Sequence, residues 1–281
     1  MAEHKNPLFN LQLIRKRTLS PQKSDILNAF ACEDAENAAS QIDYYCPPLT
    51  EKDEAENYLW MVWDLLIDII SSPDVTYEIQ EHFISILQNL QQIGKGDLRV
   101  WTGERRVWRD LPLFPQCMEV SLRDPMGEME EFTPETAQIW RNISSFAARC
   151  MGTGTLGPYS QVVDALREAL EEELDTDHNL AKAECRIQVA CEWMSHGAKP
   201  LLWWARENIG YTDIADDETQ YFPCGSLYKG TPAVCLQRWG FWQTRFEELG
   251  KDPRFNKEIQ KAAVKAAETM TTIERRIANT L

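Results

Sequence analysis

Apolar residues recur at helical spacing along most of the chain, and this pattern predicts an all-α protein. The first strong stretch follows Thr50 and repeats apolar residues three and four positions apart as far as Ile70. The other stretches with this period cover residues 79–93, 133–151, 162–170, 177–196, 231–249 and 253–278. We expect a single helical domain of about eight helices over residues 49–281, with no strand.

Three segments interrupt this periodicity. Residues 1–48 predict an extended or partly helical lead-in, with one short helix over about residues 24–39. Residues 95–132 and 211–230 lose the helical period, and the first of these segments contains Pro112, Pro115 and Pro125, so we expect two irregular inserts there.

Two glycines are expected to end helices. Gly152 would terminate the helix over residues 133–151 and begin a flexible elbow. Gly197 would terminate the helix over residues 177–196, with a short aromatic turn beginning at Pro200.

Composition narrows the classes of partner. The formal net charge is −15 and the pI is near 4.8, so the surface repels nucleic-acid phosphates and anionic lipid headgroups. No apolar run reaches the length of a membrane span, and the N-terminus lacks a signal-peptide core. We therefore expect a cytoplasmic protein that neither binds nucleic acid nor inserts into membranes.

The eight cysteines are scattered, which favours reduced thiols used as small apolar residues. Nothing in the sequence indicates an oligomeric state.

Tryptophans concentrate on the buried stripes of the predicted helices. Such rings build either a solid aromatic core or the wall of a pocket for an apolar guest. The residues that we expect to form the wall of such a pocket are Trp140, Phe146, Trp193, Trp239 and Trp242.

Three polar residues are candidates for chemistry in that pocket. Asn142 and Arg149 share one helical face with Phe146, at spacings of four and three residues. They either point donors into a cavity or join helices, for example through an ion pair with an acid such as Glu168 or Asp64. His196 lies one helical turn beyond Glu192, where it serves either as a base or as a satisfied histidine at a helix end.

Other motifs that resemble catalytic or metal sites lack the required context. The spacing Gly152-x-Gly154-x-x-Gly157 follows a helix instead of the strand that a dinucleotide-binding turn requires. Acidic residues cluster at 171–178 and 213–218, and both clusters are expected to be solvated surface. No histidine and cysteine spacing fits a metal site, so we expect neither a metal nor a cofactor.

Five segments in the same order give the chain a specific resemblance. They are WDLLIDI from Trp63, VWRDLPL from Val107, WRNISSFAAR from Trp140, ALREALEE from Ala165 and RWGFWQTRF from Arg238. Together they resemble a family of filamentous-fungal proteins catalogued as a domain of unknown function. The resemblance implies an all-helical cytosolic protein from a filamentous fungus, with some relatives encoded beside secondary-metabolite genes. It implies no catalytic residue set.

The absence of cofactor motifs and the abundance of rings favour a cofactor-independent enzyme. Such an enzyme would hold an apolar secondary metabolite against aromatic walls and catalyse cyclisation or isomerisation, as a cyclase or pericyclase does. Asn142, Arg149 and His196 would polarise the substrate. The alternative is a non-catalytic cytosolic adaptor whose exposed tryptophans form a flat protein-interaction surface.

Overall fold

The predicted all-α class is confirmed by a computed structural model. The structure describes residues 20–101, 103–125, 132–157, 160–176, 179–209 and 222–278. Within these ranges the chain forms ten α-helices, one π-helical turn and a single two-stranded β-hairpin. None of the helices in these ranges is long and apolar enough to cross a bilayer.

The chain divides into two compact units, Met1–Ser121 and Leu122–Leu281, which we call unit 1 and unit 2. The elements of unit 1 are α1 (Pro21–Phe30), α2 (Ala35–Tyr45), α3 (Lys52–Ile70), α4 (Tyr77–Ile93), β1 (Asp97–Val100), β2 (Gly103–Arg106) and α5 (Phe114–Ser121). The elements of unit 2 are α6 (Pro134–Thr153), α7 (Gln161–Leu166), the π turn (Arg167–Glu171), α8 (Leu180–Glu207), α9 (Leu236–Leu249) and α10 (Lys257–Ala278).

Two helices replace the single helix expected over residues 24–39. The first ends at Phe30, and Asp34 starts the next by accepting a hydrogen bond from the Asn37 backbone N–H at 2.6 Å. A capping aspartate stabilises a new helix start more than the continuation of the old helix, so the chain breaks there. The domain boundary that we placed at residue 49 stays a prediction.

The first insert is partly regular, which corrects the expectation of an irregular segment without strands. Strands β1 and β2 pair antiparallel, with Asp97 opposite Arg106 and Arg99 opposite Glu104. Opposite charges across the ladder stabilise the pairing, while Leu98 is buried on the other face. With four residues each, the strands are too short to show a clear alternation of apolar and polar positions.

A strained loop follows the hairpin and closes the core of unit 1. Trp108, Leu111 and Leu113 have positive φ angles of 67°, 44° and 70°, although none of them is glycine. Indole hydrogen bonds hold the loop, because Trp108 Nε1 donates to Asp43 Oδ1 at 2.7 Å and Trp63 Nε1 donates to the Pro112 carbonyl at 2.8 Å. Packing and hydrogen bonds therefore maintain a backbone conformation that L-residues rarely adopt.

Unit 2 is organised around α8, which packs against α6, α7, α9 and α10. The helix continues through Gly197 and Pro200 to Glu207, so the expected stop at Gly197 is wrong. Because Pro200 has no N–H, the carbonyl of His196 cannot receive the usual helical hydrogen bond. The helix ends instead at Asn208, which adopts the left-handed conformation with φ 50°.

The freed carbonyl meets α6 at a second glycine. A Cβ atom on Gly152 would lie 2.1 Å from His196 O, and a Cβ on Gly197 would lie 2.4 Å from Met151 Cε. Gly152 is therefore needed for the close approach of the two helices, whereas a Cβ at Gly197 would meet only the flexible end of Met151, and neither glycine ends a helix. The cap of α6 is Gly154, with φ 74°, two residues beyond the expected stop at Gly152.

The cysteines behave as small apolar residues, as the sequence indicated. All eight are free, and six of them are buried. Burial raises the pKa of Cys46 to about 11 and that of Cys117 to about 12, which keeps these thiols protonated and unreactive at neutral pH.

The tight contact between α6 and α8 predicts opposite effects for two glycine-to-alanine changes. Gly152→Ala would force a methyl group into a backbone carbonyl and is expected to lower the free energy of unfolding by about 2–3 kcal/mol. Gly240→Ala lies within α9, where a Cβ would have no atom within 4 Å, and it should raise the free energy of unfolding by up to about 1 kcal/mol. Urea unfolding of both variants measures the difference, and a stable Gly152→Ala protein would contradict the close contact.

Candidate functional site

The residues predicted to form an aromatic wall are all in the interior of unit 2. Their exposed fractions are 3% or less. The indoles of α9 make internal hydrogen bonds: Trp239 Nε1 donates to Glu274 Oε1 and Trp242 Nε1 donates to Glu171 Oε1, each at 2.6 Å. These two rings join α9 to α10 and to the π turn.

The predicted polar residues lie on the helices that meet at Gly152 and Gly197. Asn142 is buried on α6, and its Oδ1 accepts a hydrogen bond from Gln138 Nε2 at 2.8 Å. Arg149 is half-buried farther along the same helix. On α8, His196 Nε2 lies 3.7 Å from Glu192 Oε2, so a protonated imidazole would form an ion pair within the helix.

A cavity of about 430 Å³ lies in unit 2 and is bordered by one of the predicted rings, Trp140. We call it the Trp140 pocket. Its uncharged lining residues are Leu122, Trp140, Gln161 and Ala165. Its charged lining residues are Arg123, Asp124, Asp164, Arg167, Glu168 and Arg186. Trp140 itself is fixed by a 3.3 Å hydrogen bond from its Nε1 to the Leu122 carbonyl. The other seven predicted site residues are not among the described residues that line this pocket.

Two arginines and two acids form a paired network on the pocket wall. Arg186 donates to Asp124 Oδ2 from Nε and Nη2, at 3.2 and 3.1 Å. Its Nη1 lies 3.3 Å from Glu168 Oε2, and the other oxygen of Glu168 accepts from Arg167 Nη2 at 2.6 Å. The exposed fraction of each of the four side chains is between 22% and 25%, so the network is partly shielded from solvent. Within this network the charges of the arginines and the acids balance one another.

Asp164 differs from the other acids of the pocket. It lies one helical turn before Glu168 on the same face, and desolvation raises the pKa of its carboxyl group. Arg167 opposes this shift and Glu168 reinforces it. The fold therefore favours the neutral, proton-bearing form of Asp164 more than water does. A carboxyl group of this kind can donate a proton to a bound molecule.

A buried ion pair whose residues do not line the pocket joins the π turn to α9. Glu171 and Arg238 are fully buried, with Arg238 Nε donating to Glu171 Oε1 at 2.6 Å and Nη2 donating to Oε2 at 3.0 Å. Glu171 Oε2 also accepts from the Gly225 backbone N–H at 2.9 Å. The Arg238 guanidinium donates further to the carbonyls of Phe222 and Pro223, at 3.0 and 2.8 Å. Because both partners are saturated with protein hydrogen bonds, this pair has a structural role.

The π turn explains how a glutamate enters the interior. In π geometry the hydrogen bonds join residues five apart, so Glu171 comes round to the same side as the buried Leu166. The expectation that the whole acidic cluster at 171–178 is solvated is therefore wrong for Glu171. Asp177, His178 and the second acidic cluster at 213–218 lie outside the described residues.

Most of the residues that line the Trp140 pocket are not identified by any pattern in the sequence. The only visible signal was the spacing of Asp164 and Glu168, which places two acids on one helical face. Arg186, which pairs with Glu168 and with Asp124, is distant from both acids in sequence and meets them only in the folded unit. Among the described residues, no group of three or more His, Cys, Asp or Glu side chains could hold a metal ion.

Removal of either partner of the buried pair should destabilise unit 2 strongly. Glu171→Gln or Arg238→Met leaves a buried group without its counter-charge, at a cost of about 3–5 kcal/mol in the free energy of unfolding. Arg254→Met is the matched control, because its pair with Asp252 is exposed and contributes less than about 1 kcal/mol. Chemical denaturation compares the three variants, and equal losses would contradict the structural role of the buried pair.

The raised pKa of Asp164 predicts a pH-dependent effect of Asp164→Asn on stability. Below the ordinary pKa of an aspartate, both folded and unfolded chains are protonated, and the substitution should leave the melting temperature unchanged. Above that ordinary pKa, folding must either desolvate the carboxylate or protonate it, and both cost free energy, so the variant should melt a few degrees higher at pH 7. Calorimetry at pH 3.5 and pH 7 tests the sign. A variant that melts lower than the wild type at pH 7 would show that the carboxylate is stabilised.

Comparison with known proteins defines the family. No curated protein matches the chain, and no solved structure matches it. The model of a family described as a protein of unknown function, DUF3632, matches residues 63–246, which is more than half of the chain. This match covers α6, α8, the π turn and all ten residues that line the Trp140 pocket. The protein belongs to the DUF3632 family.

Proposed function

We propose that the protein is a cofactor-independent enzyme that binds an apolar secondary metabolite in the Trp140 pocket and catalyses its cyclisation or isomerisation. The proposal includes an origin in a filamentous fungus and a role in secondary-metabolite biosynthesis. It depends most on one observation, that a carboxyl group of raised pKa and an indole ring both line a cavity of about 430 Å³. Cavities of about 300–1,000 Å³ hold small organic molecules.

The pocket offers an acid but no strong free base among its described residues. Asp124 and Glu168 face Arg186 and Arg167, and each is already engaged in charged hydrogen bonds. Asp164 is the group that can carry and release a proton. It therefore takes the role that the sequence favours for Asn142, Arg149 and His196, whose participation stays a prediction.

The expected chemistry is a balanced proton transfer. Asp164 donates its proton to a substrate carbonyl oxygen or alkene carbon, and the resulting cationic intermediate cyclises or shifts a double bond. Loss of a proton from a neighbouring carbon returns that proton to Asp164. Trp140 provides a rigid apolar wall that restricts the conformations of a flexible chain, and this lowers the entropic barrier. Product and substrate then have the same mass.

The equal mass of substrate and product gives a direct test. The purified protein is incubated, without added cofactor, with linear polyene ketones and terpenoid aldehydes, and isomeric products are separated by liquid chromatography and mass spectrometry. We expect a new peak of unchanged mass with the wild type and at least a hundredfold lower rate with Asp164→Asn, within the range that general acids contribute. Glu119→Gln, which alters an exposed acid outside the pocket lining, serves as the control. An Asp164→Asn protein with full activity would exclude this mechanism.

An adaptor function remains the second candidate because of one residue in unit 1. Trp101, next to the β-hairpin, has an exposed fraction of 70%. An adaptor would use this ring to contact a partner protein, and Trp101→Ala would then abolish partner capture while leaving product formation unaffected.

A further inference from the structure

The charged groups of the Trp140 pocket fall into two sets. Asp124, Glu168, Arg167 and Arg186 are paired with one another, so two positive and two negative charges balance. The side chains of Arg123 and Asp164 line the same pocket and are not part of this paired network, although the nearby charges of Arg167 and Arg238 act on Asp164. A bound molecule can therefore meet one guanidinium and one carboxyl group that no described side chain engages in a hydrogen bond.

A single carboxylate complements this pair. The planar guanidinium of Arg123 matches a carboxylate with two parallel hydrogen bonds, which are stronger than neutral ones because both partners are charged. The carboxyl group of Asp164, whose pKa desolvation raises, can share a proton with the ligand carboxylate, as two carboxyl groups do when they are close. A neutral ligand would satisfy neither group as well.

The remaining lining residues exclude more highly charged ligands and favour an apolar body. A phosphate dianion would face the carboxylates of Asp124 and Glu168, and Arg123 is the one arginine among the described lining residues that lies outside the paired network and could neutralise it. The rest of the wall includes the Trp140 ring, Leu122 and Ala165, which offer contacts to hydrocarbon rather than to polar groups. Charge and surface type together indicate a monoanionic amphipathic molecule.

We infer that the ligand of the Trp140 pocket is an apolar molecule with one carboxylic acid group, whose carboxylate binds Arg123 while its hydrocarbon part lies along Trp140. The inference rests on the proposed use of this pocket for a small organic substrate. It adds the chemical class of that substrate and assigns Arg123 as the residue that determines specificity.

The experiment compares three terpenoid probes that differ at one end only: farnesoic acid, its methyl ester and farnesol. Isothermal titration calorimetry at pH 7 gives the dissociation constant of each. We expect the acid to bind at least tenfold more tightly than the ester or the alcohol. Arg123→Gln should remove that preference by weakening acid binding about tenfold, with little effect on the alcohol. Arg99→Gln changes an exposed arginine outside the pocket lining and should change nothing. Equal affinity for acid and ester, or an unchanged preference in Arg123→Gln, would overturn the inference.

A second variant separates this inference from the proposed reaction. Asp164→Asn keeps a hydrogen-bond donor and should bind farnesoic acid at least as tightly as the wild type, although it cannot transfer a proton. Selective acid binding without isomerisation of any probe would refute the proposed enzyme and support the ligand class. Isomerisation of neutral polyenes without preference for the acid would support the enzyme and refute the ligand class.

Discussion

The buried pair of Glu171 and Arg238 is the interaction on which the organisation of unit 2 depends. Burial of a charged side chain away from solvent costs several kcal/mol unless hydrogen-bond partners surround it. The groups that bond to Glu171 and Arg238 must therefore lie at fixed positions around the pair. The backbone N–H of Gly225 donates a hydrogen bond to the Glu171 carboxylate. Position 225 also requires glycine, because a Cβ atom there would lie 2.5 Å from the Glu171 backbone oxygen. Phe222 and Pro223 supply carbonyl oxygens to the guanidinium. One ion pair thereby fixes the described start of the 222–235 segment against the π turn and α9.

The same constraint sets the geometry of the pocket. The π turn has Glu171 at its inner end and Arg167 and Glu168 at its beginning, so the anchoring of one end orients the other. Arg186 reaches this turn from α8 and Asp124 from the start of unit 2. The residues proposed to meet a ligand, Asp164 and Arg123, are adjacent in sequence to members of this network or one helical turn away. The ligand-facing groups therefore stand on a wall that is held in place by ion pairs.

Periodicity was sufficient to predict the helical class and the buried stripes. Residues on those stripes are at most 3% exposed in the structure, as these members show: Trp63, Leu66, Phe83, Leu87, Trp140, Leu166, Val189 and Trp239. Helix ends were predicted less well, because glycine serves two purposes. Gly152 and Gly197 occur where a stop would be expected, yet both lie inside helices where α6 approaches α8, and Gly152 is required by the contact of its backbone with the His196 carbonyl.

The site was harder to predict because its chemistry arises from residues far apart in sequence. Trp140 was identified from its helical stripe, and it is the predicted residue that borders the pocket. Glu171 was missed because helical periodicity assumes a constant number of residues per turn, and the π turn violates that assumption. The raised pKa of Asp164 depends on desolvation and neighbouring charges, which no local pattern contains.

The π turn also limits how the family can vary in length. A π turn contains one residue more than an α turn, so deletion of a single residue between Arg167 and Glu171 would restore a continuous α-helix and rotate the glutamate away from Arg238. The extra residue of the π turn, Glu171 and Arg238 are therefore expected to be retained or lost together during evolution. Relatives that keep both charges are expected to keep the length of this segment, and relatives with a gap here should have lost both charges together.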